Sequence, residues 1–226
     1  MNHAATLLLL AASAGAGPSP ACSCPANPER PTGHEPAASA GGSVTLPNAR
    51  QFDLRSAAGR VYRIFVVSPS GEVGAAGSPV VYFTDANRNL PALLAAVRAS
   101  TRGPNDVLLV GVGYPETDRA THQTRRTLDL TPPGGAAPDG SPSGGADALL
   151  SFIEDDLKPR IEREYRVDRD RQALFGHSYG GLFVLHALLS RPGTFRTYLA
   201  SSPSVWWNDG AILEDAKTFA AARTGG

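Results

Sequence analysis

Cysteine is almost missing from this sequence: the 2 that occur, Cys22 and Cys24, sit together near the amino terminus and the rest of the chain has none. Two cysteines so close cannot staple a fold, and with no second pair or neighbouring histidines they make no zinc site, so no metal site is expected. An excess of one charge is missing as well. The 21 Lys and Arg balance 21 Asp and Glu, which removes the electrostatic footprint of a nucleic-acid binder and of a polybasic membrane patch and leaves a small molecule as the expected partner. An apolar run long enough to cross a bilayer is missing too: Ala4 to Ala16, around Leu7-Leu8-Leu9-Leu10, is too short to span but suits the apolar part of a signal peptide. Histidine is scarce, with 5 in 226 residues and only His186 after residue 178.

These absences divide the chain. Residues 1–24 read as an export leader, with cleavage after Ala14 or Ala16, and the mature protein as periplasmic or secreted with no integral membrane segment. Cys22, preceded by Ala21, is a candidate for lipid attachment. Residues 25–42 are Pro, Ala, Gly and Ser, too poor in apolar side chains to order themselves, and read as a linker. Residues 43–226 then hold one α/β domain.

Within that domain Val44 to Leu46, Gln51 to Leu54 and Arg60 to Val67 read as opening strands, antiparallel at a sheet edge. Pro79 to Thr84 and Asp106 to Val112 are continuous apolar runs of the kind buried parallel strands show, with a helix over Leu90 to Ser100 between them. Tyr114 onward reads as a long irregular stretch, ordered in its first half near the site and mobile in the glycine-rich Pro133 to Ala146. Asp147 to Tyr165 is an amphipathic helix in which Pro159 should cause a kink. Further strands are expected at Ala173 to Phe175 and Phe195 to Ala200, and helices at Tyr179 to Ser190 and Asp209 to Ala222. Strands alternating with helices mean a mostly parallel sheet covered on both faces, the α/β-hydrolase arrangement.

The chemistry concentrates in Gly176-His177-Ser178-Tyr179-Gly180, which lies between a short apolar run and a helix apolar on most faces. A G-x-S-x-G segment in that order is a nucleophile elbow: the strand turns sharply into the helix, and the serine is held up in strained geometry while glycines permit the close approach. Ser178 is the candidate nucleophile. Its oxyanion donors would be the backbone N–H of Tyr179 and one from the loop after the third strand, at Ala86 or Asn87. Trp206 and Trp207, at the end of the following strand, would rim a substrate pocket. A base is harder to find. His186 lies about 12 Å along the helix from Ser178, His177 sits within the elbow, and His122 precedes the serine on an uncertain loop. Asp209, Glu214 and Asp215 could include an orienting acid but read more simply as a solvated face.

Four motifs in order, Tyr82-Phe-Thr-Asp85, Arg126-x-x-Asp129-x-Thr131-Pro132, Gly176-His-Ser-Tyr-Gly-Gly181 and Ser202-Pro-Ser-Val-Trp-Trp207, resemble the serine esterases related to enterochelin and salmochelin esterases. The resemblance covers roughly Val44 to Ala216. It implies an α/β-hydrolase fold and hydrolysis of carboxylic esters, siderophore esters among them, without metal or organic cofactor, with Ser178 as nucleophile, Tyr179 and Ala86 at the oxyanion and Arg126 beside the substrate. Relatives of this type continue into strands that bring a catalytic histidine. On that reading the chain lacks the carboxy-terminal portion of its domain, has an exposed sheet edge, and is inactive as an isolated chain. The alternatives are a hydrolase-like binding protein without catalysis and an acyltransferase.

Overall fold

The computed structural model describes residues 6–10, 46–71, 76–100 and 106–224. Seven strands form one sheet in the order β1-β7-β6-β4-β5-β3-β2. Chain order gives β1 (Thr6–Leu10), β2 (Ala49–Arg55), β3 (Val61–Val67), β4 (Ser78–Phe83), β5 (Leu108–Gly113), β6 (Val167–His177) and β7 (Thr197–Ser201). The pairs β4–β5, β4–β6, β6–β7 and β1–β7 are parallel, and only the β2–β3–β5 end is antiparallel. This is the α/β-hydrolase arrangement the sequence implies, with its opening strands at one edge.

Period-two alternation explains why both faces are covered. On β4, Val80 and Tyr82 enter one apolar cluster while Val81 and Phe83 enter the other. On β3, Ile64 and Val66 go with the first, and Phe65 and Val67 with the second. Helix α1 (Ala86–Ala99) closes the second face through Leu90, Leu93, Leu94 and Val97. The first face is closed by α3 (Ala146–Ser151), α4 (Lys158–Glu164) and α5 (Tyr179–Ser190), and α6 (Ala211–Thr224) packs on α5. Among the described residues no helix is long and apolar enough to cross a membrane.

Five expectations change. The stretch after Tyr114 is not irregular: Arg119–Leu130 is helix α2, capped by the Asp118 carboxylate, which accepts from the Thr121 N–H at 2.7 Å. Its buried residues are Arg126, Thr127, Asp129 and Leu130, so its inward face is mostly polar and carries no apolar stripe for sequence periodicity to find. The glycine-rich stretch behind it is tied down. Thr131 Oγ1 donates to the Thr127 carbonyl and accepts from Gly144 N, at 2.8 and 2.9 Å, and Gly145 N donates to the Leu128 carbonyl at 2.7 Å.

The kink expected at Pro159 takes another form. A π-helical turn over Phe152–Leu157 joins α3 to α4 directly, and the wider turn accommodates a proline that cannot donate to the preceding turn. The outer edge of β7, expected to be bare, carries β1 in parallel register from Thr6↔Thr197 to Leu10↔Ser201. Leu46 lies in no strand, and Val44 falls outside the described residues. So do Cys22, Cys24 and the 25–42 linker, while Thr6–Leu10 of the expected leader is described as β1.

Candidate active site

The site is built where adjacent parallel strands β4 and β6 end. Ala173 to Phe175 of β6 pair with Val81 to Phe83 of β4 and with Thr197 to Leu199 of β7, which fixes where β6 stops. One residue beyond it Ser178 has φ 59° and ψ −118°, a conformation that L-residues rarely hold without support from their surroundings. The support is steric. A Cβ on Gly176 would collide with the backbone of Gly180, and one on Gly180 would collide with the Thr84 hydroxyl. Glycine is therefore required at both positions by the neighbouring backbone and strand end, as the elbow reading anticipates.

The loop after β7 completes the clasp. Ser178 N donates to the Ser201 carbonyl at 3.1 Å, and Ser204 N donates to the Ser178 carbonyl at 3.2 Å. The two hydroxyls also meet, Ser178 Oγ lying 3.3 Å from Ser204 Oγ. Ser202 within this loop has φ 40°, so strained backbone occurs on both sides of the contact.

Two helices begin here. Ala86 is the first residue of α1 and Tyr179 the first of α5, positions whose N–H groups find no acceptor inside their own helix and which carry the positive end of the helix dipole. Thr84 N donates to the Phe175 carbonyl at 3.2 Å, so the two helix starts are tied across the neighbouring strand ends. Asn87 is differently employed: its side chain donates to the Tyr114 carbonyl and accepts from Tyr114 N, at 3.0 and 2.8 Å, pinning β4 to the end of β5. Of the two donor candidates, Ala86 opens α1, and Asn87 commits its side chain, though not its backbone N–H, to Tyr114.

Arg126, Tyr179, Trp206 and Trp207 are neighbours. The Arg126 guanidinium lies 5.2 Å from the centre of the Tyr179 ring, and Trp206 and Trp207 stand 5.8 and 5.6 Å from that ring. They differ in access. Trp206 is 59% exposed, whereas Trp207 is 3% exposed and packs with Ala137, Leu182 and Ile212, so it supports the rim from below. Arg126 is 8% exposed and holds Asp85 with Nε 2.7 Å from Oδ1. Asp85 is itself buried in a left-handed conformation, φ 56°, at the start of α1. Burial pushes the Tyr179 phenol above its ordinary value, with the Arg126 charge opposing.

A second buried carboxylate lies one helical turn further along α2. Asp129 meets Arg60 at 2.9 Å and Arg125 at 3.8 Å, and Arg125 also bonds Glu116 and lies over the rings of Tyr62 and Tyr114. Burial raises the Asp129 carboxyl above its ordinary value despite both arginines. The Arg126-x-x-Asp129-x-Thr131 box is thus a packing device on one side and, through Arg126, a wall of the site on the other.

None of the described histidines bonds to Ser178. His186 Nε2 lies 2.8 Å from Asp147 Oδ1 on the outside of α5, His177 is exposed, and His122 packs edge-on against Tyr114 at 5.0 Å. Glu214 pairs with Lys217 in solvent, as a solvated face would.

A family model described as "Putative esterase" matches residues 56–224. The chain belongs to that esterase family. The chain is 42% identical over 184 residues to the siderophore triacetylfusarinine C esterase of Aspergillus fumigatus, covering 78% of this chain and 62% of that protein. It is 42% identical over 173 residues to the ferri-bacillibactin esterase BesA of Bacillus subtilis, covering 71% and 59%. The fold matches the crystal structure of the BES protein from Bacillus cereus with a TM-score of 0.74 and 33% identity, over 82% of this chain and 72% of that one. The chain therefore spans about three fifths of the length of the two esterases.

Sequence reasoning placed Ser178 and Tyr179 at a strand-to-helix turn and Ala86 just beyond the end of β4, because these are local features. It missed Asp85 and Ser204 as parts of the site. Asp85 was legible only as a strand end, since its partner lies 41 residues on, and Ser204 only as a letter in the Ser202-Pro-Ser motif.

Proposed function

We propose that this chain is a serine carboxylic-ester hydrolase acting on siderophore-type esters. Ser178 Oγ adds to the ester carbonyl carbon and gives up its proton, the tetrahedral oxyanion accepts hydrogen bonds from the N–H groups of Tyr179 and Ala86, the C–O bond breaks as the leaving oxygen takes up a proton and departs as the alcohol, and water hydrolyses the acyl-serine to the acid and free Ser178. The observation that carries the reading is the conformation of Ser178 at the strand-to-helix turn, maintained by Gly176 and Gly180. The substrate class rests on the names of the similar esterases and on the lip formed by exposed Trp206 over half-buried Tyr179, with the buried Arg126 charge behind that ring, which suits an aromatic ligand. Export before Pro25 is part of the proposal, supported by the apolar run from Ala4 to Ala16.

No described histidine bonds to Ser178, His186 pairing with Asp147, His122 packing on Tyr114 and His177 being exposed, and this adds a finer point: the 226 residues by themselves turn over esters slowly. Binding and an oxyanion hole without the base still leave on the order of 10³ to 10⁴ over water. The same observation favours ligand binding without catalysis as the second reading. Turnover of a p-nitrophenyl ester and of enterobactin, with Ser178→Ala beside the unmodified chain, separates them. Slow hydrolysis lost in Ser178→Ala supports the hydrolase, and equal background in both proteins supports the binding protein. Turnover above about 1 s⁻¹ would overturn the slow-chain proposal.

A further inference from the structure

Ser204 is buried, 5% exposed, and every one of its polar groups is directed at the elbow or its own turn. Its N–H donates to the Ser178 carbonyl at 3.2 Å, its carbonyl accepts from Trp207 N at 3.1 Å, and its hydroxyl meets Ser178 Oγ at 3.3 Å. No other partner for that hydroxyl occurs among the described residues. Backbone strain brackets the contact, φ 59° at Ser178 and φ 40° at Ser202. Pro203, between Ser202 and Ser204, lies against Gly181, where an added Cβ would come 2.9 Å from the Pro203 Cα. That contact keeps the loop from moving closer, the backbone bonds from Ser178 N to the Ser201 carbonyl and from Ser204 N to the Ser178 carbonyl keep it from retreating, and the hydroxyl pair is held between them.

We propose that Ser204 is a positioning residue for the nucleophile: its hydroxyl fixes the Ser178 side chain and donates to Ser178 Oγ as that oxygen loses its proton. The inference rests on Ser178 being the nucleophile. In the resting pair either hydroxyl can donate, so one hydrogen lies between the two oxygens and the second serine hydrogen is free to face a base. When Ser178 Oγ–H breaks and its proton leaves for a base or for solvent, Ser204 holds the only remaining hydrogen of the pair. A buried hydroxyl with no other acceptor turns it toward the oxygen that is gaining negative charge, and a hydrogen bond to a charged acceptor is stronger than one to a neutral one. No covalent bond to Ser204 forms or breaks.

The test is the rate of covalent labelling by a fluorophosphonate, in which Ser178 Oγ bonds to phosphorus, fluoride leaves and the serine proton goes to the base or to solvent. Rates are measured against pH for the full 226-residue chain and for Ser204→Ala, Ser204→Thr and Ser178→Ala, with the adduct located by peptide mapping. Ser204→Ala should slow labelling of Ser178 by about tenfold, the equivalent of one hydrogen bond, and move its pH profile to the alkaline side, because the serine oxygen loses a donor to its charged form. Ser204→Thr, which keeps the hydroxyl, should restore both. A merely structural Ser204 would lower the rate equally at all pH. That result, or an Ser204→Ala profile matching the unmodified chain, overturns the inference while leaving the nucleophile standing. Absence of an adduct at Ser178 in the unmodified chain overturns both readings.

Discussion

The elbow and the Arg125 to Thr131 box face each other across the site, and they are held by opposite means. At the elbow, position is set by backbone against backbone: Gly176 against Gly180, Gly181 against Pro203, Ser178 amide and carbonyl bound to the loop after β7. In the box, position is set by buried charge: Asp85 with Arg126, and Asp129 with Arg60 and Arg125. The comparison teaches where each region can fail. Steric clasps tolerate no added atom but are indifferent to pH, whereas buried ion pairs tolerate changes of shape but not the loss of one partner.

The largest effect should come from the elbow. Gly176→Ala puts a methyl into the Gly180 backbone, where no flexible side chain can yield, and should destabilise the fold by more than about 4 kcal/mol and abolish labelling at Ser178. Denaturant unfolding checks it, and a variant with unchanged midpoint would show that the elbow is looser than described.

Next in size is Asp85→Ala. It leaves the buried Arg126 guanidinium without its 2.7 Å partner, and breaking such a pair costs about 3 to 5 kcal/mol. A double-mutant cycle with Arg126→Met isolates the coupling; additive effects would place the stability elsewhere.

Smaller, but more diagnostic, is a difference in pH dependence. The Asp129 carboxyl is raised from its ordinary 3.8, first by burial. Between 3.8 and that raised value the folded protein holds a proton that the unfolded chain has released. The stability linked to Asp129 is therefore fully present below 3.8 and lost as pH rises through the folded-state value. Asp129→Asn should remove that decline. A difference between the unmodified chain and Asp129→Asn that stays flat across this window contradicts it, while the difference between the unmodified chain and an elbow variant, which keeps Asp129, should be flat there.

The contrast also explains what could be read from sequence. Glycines flanking a serine, after an apolar strand and before a buried helix, announce an elbow locally, so Ser178 and the start of α5 at Tyr179 were legible, whereas α1, expected from Leu90, begins at Ala86. Helix α2 was not, because its buried face is Arg126, Thr127 and Asp129, residues that normally mark a solvated surface. Their partners, Arg60 and Asp85, stand 69 and 41 residues away, and no window along the chain joins them. Trp207 was misjudged for a related reason. Adjacent tryptophans read alike in sequence, but the turn after Trp206 sends one to solvent and the other beneath Gly135 and Ala137.

The smallest effect belongs to the rim. Trp206→Ala removes an exposed ring and should leave unfolding unchanged while weakening binding of an aromatic siderophore ester by roughly threefold to tenfold. Isothermal titration with enterobactin reads it, and undiminished affinity would remove Trp206 from the substrate lip.

The central claim, that backbone sterics present Ser178 as a nucleophile, is tested most directly by where a fluorophosphonate attaches. The account predicts one adduct per chain, formed slowly in the 226-residue protein, mapped to the peptide containing Ser178, and absent in Ser178→Ala. An adduct that persists in Ser178→Ala, at Ser202 or Ser204, or a chain that is folded yet never labelled at Ser178, would contradict it.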